Sequence, residues 1–233
     1  MSSSYIKDLF ADEEQFTAEN RKQIIAADAI ILRGFASEKS AQFIEVIKNI
    51  AEISPFRHMI APNGFSMSAA MTNCGTMGWT ADRRGYRYNS FDPQTGKPWP
   101  AMPEVLYRLA VEAAAEAGFE NFSPDACLIN RYVPGARMSL HRDDSERDFS
   151  APIVSVSLGL PIRFLFGGAT RADKTRKLLL SHGDVVVWGG VSRLFYHAVS
   201  PLKENEDAFF GKQDLDRQCL GNQRINLTFR KAL

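Results

Sequence analysis

The chain contains four histidines, and two of them stand where metal chemistry is possible. His141 and Asp143, in the run SLHRDD, are two residues apart. On an extended segment, side chains at that spacing leave from the same face, so both can reach one ion. His197, in RLFYHAV, offers a third ligand from a distant segment. Two histidines and one carboxylate match the facial triad of non-haem Fe(II) oxygenases, whose open positions accept a co-substrate and O2. No thiolate ligand lies nearby, which argues against a structural zinc site. Alone, His141 also fits a turn cap, and His197 beside Phe195 and Tyr196 also fits a hydrogen-bonded core histidine. His58 and His182 have no carboxylate at ligand spacing and read as structural.

A second polar pattern closes the chain. In RINLTFR the residues alternate: Arg224, Asn226, Thr228 and Arg230 share one face of a strand, and Ile225, Leu227 and Phe229 share the other. Guanidinium forks match carboxylates in bidentate geometry, so two arginines facing a cavity suit a small dicarboxylate. They stand roughly 20 Å apart by strand rise, a gap that inward-leaning side chains can shorten. A solvated outer face is the competing reading of this segment. Asn130 and Tyr132, in LINRY, form another polar pair on one strand face just upstream of His141.

These residues need a scaffold. A run of Phe43, Ile44, Ile47 and Ile50 after Ser37 predicts a serine-capped amphipathic helix over 37–50. Val105, Leu106, Leu109 and Ala113, with Pro103 before them and Gly118 after, predict a second over 103–117. Between them, 64–100 is rich in turn residues yet carries Trp79, Tyr86, Tyr88, Phe91 and Trp99 among Arg83, Arg84 and Arg87. That mixture reads as one or two hairpins or a structured lid. Seven short strands follow, over 128–133, 153–158, 163–166, 176–180, 184–188, 194–199 and 224–229. Helices first and strands later predict an α+β fold, with the helices covering one face of a double sheet such as a jelly roll. The polar opening through residue 20 reads as an arm.

Composition sets the outer bounds. At 233 residues and 45% hydrophobic, the chain can bury a sizeable core and is expected to form one compact domain. Its 28 basic and 27 acidic residues nearly cancel, so a contact surface for a polyanion must be local. Cys74, Cys127 and Cys219 are widely spaced with no CxxC pair, which predicts reduced thiols. No apolar run approaches the ~18 residues of a membrane span, and the opening lacks a secretory pattern, so the cytoplasm is the expected compartment and a membrane is not an expected partner.

The blocks MTNCGTMGWT, DPQTGKPWPAMP, PDACLINRYVPGARMSLHRDD, APIVSVSLGLP, HGDVVVWGGVSRLFYH and RINLTFR together resemble the bacterial AlkB dioxygenases, from about residue 66 to 231. Several long blocks in the right order are far more specific than any single motif. The resemblance implies a double-stranded β-helix core with flanking N-terminal helices and a nucleotide-recognition lid. It divides the chain into an N-terminal extension (1–36), helices and lid (37–126) and the catalytic core (127–233). It implies His141, Asp143 and His197 as Fe(II) ligands and catalytic residues. For 2-oxoglutarate it implies Asn130, Tyr132, Arg224, Asn226 and Arg230, to which the strand pattern adds Thr228. Trp79, Tyr86, Arg87 and Tyr88 fall on the lid, and Arg171 matches a substrate-side arginine.

The activity so implied is oxidative dealkylation of N-alkylated bases of the 1-methyladenine and 3-methylcytosine type, using Fe(II), 2-oxoglutarate and O2 and releasing formaldehyde, succinate and CO2. The expected partner is alkylated single-stranded DNA, with double-stranded DNA or RNA as alternatives, bound by a monomer. Two other readings stand beside it: a same-fold dioxygenase acting on a protein, lipid or small molecule, and a non-catalytic nucleic-acid-binding module. The chain departs from its relatives in three places. Ser145 stands where they carry an acidic residue facing the base, leaving Asp144 or Glu146 to supply that charge. Arg142 replaces a polar amide, and the 205–221 loop is longer.

Overall fold

The computed structural model describes residues 21–204 and 220–233. The expected arm, Cys219 and nearly all of the 205–221 loop lie outside the described residues.

Short apolar runs punctuated by glycine and polar turns form fourteen strands and two helices among these residues. In chain order they are β1 (Lys22–Ala26), β2 (Ala29–Leu32), α1 (Ser40–Ile53), β3 (Arg57–Ile60), β4 (Ser66–Gly75), β5 (Gly78–Asp82), β6 (Gly85–Asn89) and α2 (Glu104–Glu116). Then come β7 (Ala126–Tyr132), β8 (Met138–His141), β9 (Ile153–Gly159), β10 (Ile162–Phe166), β11 (Arg176–Leu180), β12 (Val185–Trp188), β13 (His197–Val199) and β14 (Arg224–Arg230). An eight-stranded sheet runs β1-β2-β12-β9-β14-β7-β4-β3, a four-stranded sheet runs β11-β10-β13-β8, and β5 and β6 form a separate hairpin. Pairing within the sheets is antiparallel throughout. This is the expected α+β jelly roll, two sheets with helices on one outer face.

Side-chain parity divides the large sheet into two jobs. Ile225, Leu227 and Phe229 of β14, Cys127 and Ile129 of β7, Val154 and Val156 of β9, and Val185 and Val187 of β12 pack against Phe43, Ile44, Ile47 and Ile50 of α1 and Leu106, Leu109 and Ala113 of α2. The opposite parity faces the small sheet. There Leu128, Tyr132, Val186 and Trp188 meet Ile162, Phe164, Phe166, Leu178 and Leu180 in a second core. Both faces are therefore buried, and the floor between the sheets is where polar side chains of β7, β9 and β14 collect.

Several local expectations change. Residues 22–32, read as part of an extension, form two strands that join the large sheet through β12. The helix over 37–50 begins at Ser40 and continues to Ile53, and Ser37 does not cap it. The Ser37 carbonyl instead accepts both the amide and the hydroxyl of Ser40. The strand over 194–199 shortens to His197–Val199, because the 3-10 turn at Gly190–Ser192 is followed by a further turn in which the Phe195 amide donates to the Ser192 carbonyl. The aromatic segment contains the β5–β6 hairpin. It is fixed at its base by Asn73, whose side chain bonds both the amide and the carbonyl of Trp79, and by the Trp99 indole donating to the Asn89 carbonyl. Gly78 starts the hairpin where a Cβ would lie 2.3 Å from the Trp99 ring, so only glycine fits.

Candidate metal centre and cavity

β13 pairs with β8 so that His197 stands directly opposite His141, with ring centroids 4.4 Å apart. Each ring places Nδ1 against a backbone carbonyl two residues earlier in the chain, His141 on Ser139 at 2.7 Å and His197 on Phe195 at 3.0 Å. Those bonds fix the rings and leave Nε2 as the free lone pair, the tautomer a metal requires. Asp143 lies just past the end of β8, with Oδ1 3.8 Å from His141 Nε2 and Oδ2 3.9 Å from His197 Nε2. The three ligand atoms lie within 4.8 Å of one another, a spacing that one ion can bridge.

Electrostatics favours the metal-ready protonation states. Burial, helped by the neighbouring His141, lowers the pKa of His197 to about 4, so it is neutral at pH 7. Burial alone would raise Asp143, but Arg230, His197 and His141 outweigh it and hold the carboxyl well below the usual range. Arg230 donates to Asp143 Oδ2 from Nη2 at 2.7 Å and Nε at 3.1 Å.

The polar face of β14 forms the floor beside this triad. Arg224 is 1% exposed, yet its Nε and Nη1 have no hydrogen-bond partner. Nη2 donates to Ser157 Oγ at 3.0 Å, and the guanidinium lies over the Tyr132 ring at 5.2 Å. Burial pushes its pKa down to about 10, so it remains a desolvated cation without a counter-ion. Asn130 Oδ1, across the β7–β14 pair, is also unpartnered. A buried guanidinium with two idle donors suits a carboxylate, so the residues present fit the dicarboxylate that the sequence suggests. Asn226 and Thr228 face the same space, but their groups are already engaged. Asn226 Nδ2 donates to Ser155 Oγ and the Val156 carbonyl, and Thr228 Oγ1 donates to Asn226 Oδ1.

The triad and this floor line one cavity of about 800 Å3. Trp79, Tyr86, Ser145 and Arg171 also line it, whereas Arg87 and Tyr88 do not. Trp79 and Tyr86 stack, with centroids 5.4 Å apart and planes 17° from parallel. Arg87 instead forms a two-point ion pair with Asp82 inside the hairpin, which holds the Asp82 pKa at about 2. Tyr88 turns inward and donates to Glu146 Oε1 at 2.5 Å. Arg171 and Arg142 both lie over the Tyr196 ring. Neither acidic neighbour of Ser145 supplies a free charge: Asp144 pairs with Arg142 at 3.0 Å, and buried Glu146 pairs with Arg193 at 3.1 Å and Arg230 at 3.4 Å. Arg193, a buried cation four residues before His197, went unread in the sequence. Its only signal there is a charge inside an apolar run.

Comparison with known proteins agrees with this geometry. Residues 28–230 match the model of the 2OG-Fe(II) oxygenase superfamily. The chain is 55% identical to the alpha-ketoglutarate-dependent dioxygenase AlkB of Escherichia coli K12, over 97% of each chain. It is 36% identical to the tRNA demethylase abh1 of Schizosaccharomyces pombe, over 57% of this chain and 45% of that one. Among solved structures, that of OsALKBH1 superposes with a TM-score of 0.77 at 28% identity, covering 90% of this chain and 99% of that one. No described helix is long and apolar enough to cross a membrane. With its sequence, fold and triad in agreement, the chain belongs to the AlkB family of 2OG-Fe(II) oxygenases.

Proposed function

We propose that this dioxygenase oxidatively dealkylates N-alkylated bases of the 1-methyladenine and 3-methylcytosine type in DNA. On this reading it prefers single strands, accepts RNA as a further substrate, and works as a monomer in the cytoplasm. The observation that carries the reading is a single cavity with three parts: a two-histidine, one-carboxylate triad, an unpaired buried guanidinium beside it, and a stacked Trp79–Tyr86 pair at the mouth. Its 55% identity to a named AlkB over nearly the full chain supports the same conclusion.

In this scheme His141, Asp143 and His197 hold Fe(II). Arg224 holds the far carboxylate of 2-oxoglutarate, and Arg230, Asn130 and Tyr132 line the rest of its seat, with Asn226 and Thr228 bracing the floor. When bound, iron, 2-oxoglutarate and O2 would supply the oxidation that hydroxylates the N-methyl carbon, yielding succinate and CO2 and then formaldehyde and the free base. The protein orients and shields. Trp79 and Tyr86 stack against the base, while Arg171 and Arg142 attract the backbone phosphates. The alkylated atom lies on the pairing edge, so the nucleotide must leave the duplex at a cost of a few kcal/mol, which a single strand avoids. With Ser145 in place of an acid and both neighbouring carboxylates paired, charge gives this cavity little preference for a cationic lesion.

The test is reconstitution with Fe(II) under anaerobic conditions, followed by O2, 2-oxoglutarate and a single-stranded oligonucleotide carrying one 1-methyladenine or 3-methylcytosine. Mass spectrometry should show loss of one methyl group with matching succinate. Succinate without demethylation, across DNA and RNA lesions alike, would move the substrate to another class.

A further inference from the structure

Asp143 is the least braced ligand of the metal centre in its backbone, because it stands beyond the last residue of β8 and no strand ladder fixes it. Its position depends on two arginines. Arg230 grips the carboxylate, and Arg193 Nη1 donates to the Asp143 carbonyl at 2.8 Å while its Nε holds the Ala151 carbonyl at 3.0 Å. Glu146, 6% exposed, sits between these cations, with Oε2 on Arg193 and Oε1 3.4 Å from Arg230. The Tyr88 hydroxyl donates to that same Oε1 at 2.5 Å and lies 3.5 Å from Arg230 Nη1. Tyr88 is directly opposite Trp79 in the hairpin and two residues from Tyr86, so all three share the hairpin face on which the aromatic pair is stacked.

We propose that Tyr88 and Glu146 are positioning residues that tie the β5–β6 hairpin to the metal-ligand carboxylate, so that the hold on a nucleotide and the hold on the ion reinforce each other. This rests on the metal and nucleic-acid assignments above. The physical link is competition for Arg230. While the Tyr88 hydroxyl satisfies Oε1, Arg230 is left to Asp143. When the hairpin moves away, Oε1 is free to take a direct bond from Arg230, and Asp143 loses the contact that orients it. A nucleotide seated on Trp79 and Tyr86 holds the hairpin in, which keeps the ligand carboxylate in place. Coupling between two sites is reciprocal, so a bound ion must tighten the hairpin's grip by the same factor.

The experiment measures Mn(II) affinity by calorimetry, without 2-oxoglutarate, in the absence and presence of a saturating single-stranded oligonucleotide carrying 1-methyladenine. In the wild-type protein the oligonucleotide should tighten Mn(II) by about fivefold or more, the lower end of typical couplings. Tyr88→Phe keeps the ring and removes only the hydroxyl, and there the ratio should fall to about one. Glu146→Gln, a near-isosteric change, removes the anion that competes with Asp143 for Arg230, so there too the ratio should fall to about one. A ratio in Tyr88→Phe equal to that of the wild type overturns the link, as does a wild-type ratio of one. The same oligonucleotide is used for both proteins, so general attraction of cations by its phosphates cancels. A wild-type protein that binds neither Mn(II) nor oligonucleotide defeats the underlying assignment itself.

Discussion

Replacing Arg224 by methionine should stabilise the ligand-free protein while weakening its affinity for 2-oxoglutarate. Burial lowers the Arg224 pKa from 12.5 to about 10, which at ~1.4 kcal/mol per unit means the fold penalises this charge by about 3 kcal/mol. Two of its nitrogen groups gain nothing in return, since neither Nε nor Nη1 has a partner. Methionine keeps the apolar stem and omits the charged guanidinium. Allowing for the lost bond to Ser157 and the lost packing on Tyr132, the gain is about 1–3 kcal/mol. For a domain of this size that is a rise in Tm of roughly 2–12 °C. The same change removes one partner of a buried charge pair with the co-substrate, worth about 2–5 kcal/mol, or roughly 30-fold to several-thousand-fold in affinity. Thermal unfolding of the ligand-free protein and anaerobic titration of the Mn(II)-loaded protein with 2-oxoglutarate measure the two effects. A variant with a lowered Tm and unchanged 2-oxoglutarate affinity would refute the reasoning, because it would make Arg224 a structural residue whose anion is already supplied by the fold.

Three further outcomes can be checked. His197 has a folded pKa of about 4 against 6.5 unfolded, so the folded state binds fewer protons; its contribution is complete above pH 6.5 and is lost as pH falls toward 4. Urea denaturation of the metal-free protein should therefore show a loss on the order of 3 kcal/mol across that window, flattened in His197→Gln; equal slopes in both proteins would mean the histidine is not held neutral. Trp79→Ala should weaken oligonucleotide binding by about 1–3 kcal/mol in fluorescence anisotropy and leave 2-oxoglutarate binding alone, while an unchanged oligonucleotide affinity would reduce Trp79 to packing under the hairpin. Asp92 is buried against Arg57, with the Ser54 hydroxyl donating to it, so Asp92→Asn should destabilise the protein by about 3 kcal/mol, and a cost under ~1 kcal/mol would show the pair to be screened by solvent.

Patterns contained within one segment were the legible ones. The alternation of RINLTFR sorts β14 into the two faces the structure shows, polar toward the cavity and apolar toward the helices, and the strand over 176–180 has the bounds its sequence predicts. The His-x-Asp pair and the distant His197 do come together, because pairing of β8 with β13 sets the histidines face to face. What escaped depends on partners far along the chain. β1 and β2 are short strands joined by a tight turn with Asp28 at φ 54°, and the pair enters the large sheet only because β2 pairs with β12, some 150 residues later. β3 and β8 are four-residue edge strands, too short to show an alternation. Glu146 and Arg193 acquire meaning only when the segment after β8, the turn before β13 and the hairpin converge. Tyr88 illustrates the same limit. Its place among lid aromatics was readable, but its turn toward Glu146 was not.

The two buried faces of β14 bear on how faithfully the chain must fold. Sliding this strand by one residue against β7 and β9 would drive both arginines into the hydrocarbon packed under α1 and α2, and would set Ile225, Leu227 and Phe229 on the cavity floor. Each misplaced guanidinium would lose its solvation with no acceptor in reach, a loss of several kcal/mol that a domain with a net stability of about 5–15 kcal/mol cannot absorb twice. A mispaired chain is thus unstable as well as inactive. The cell is spared a population of well-folded but catalytically blind copies that could occupy damaged strands without repairing them, since on this strand the error that would destroy the site also dissolves the fold.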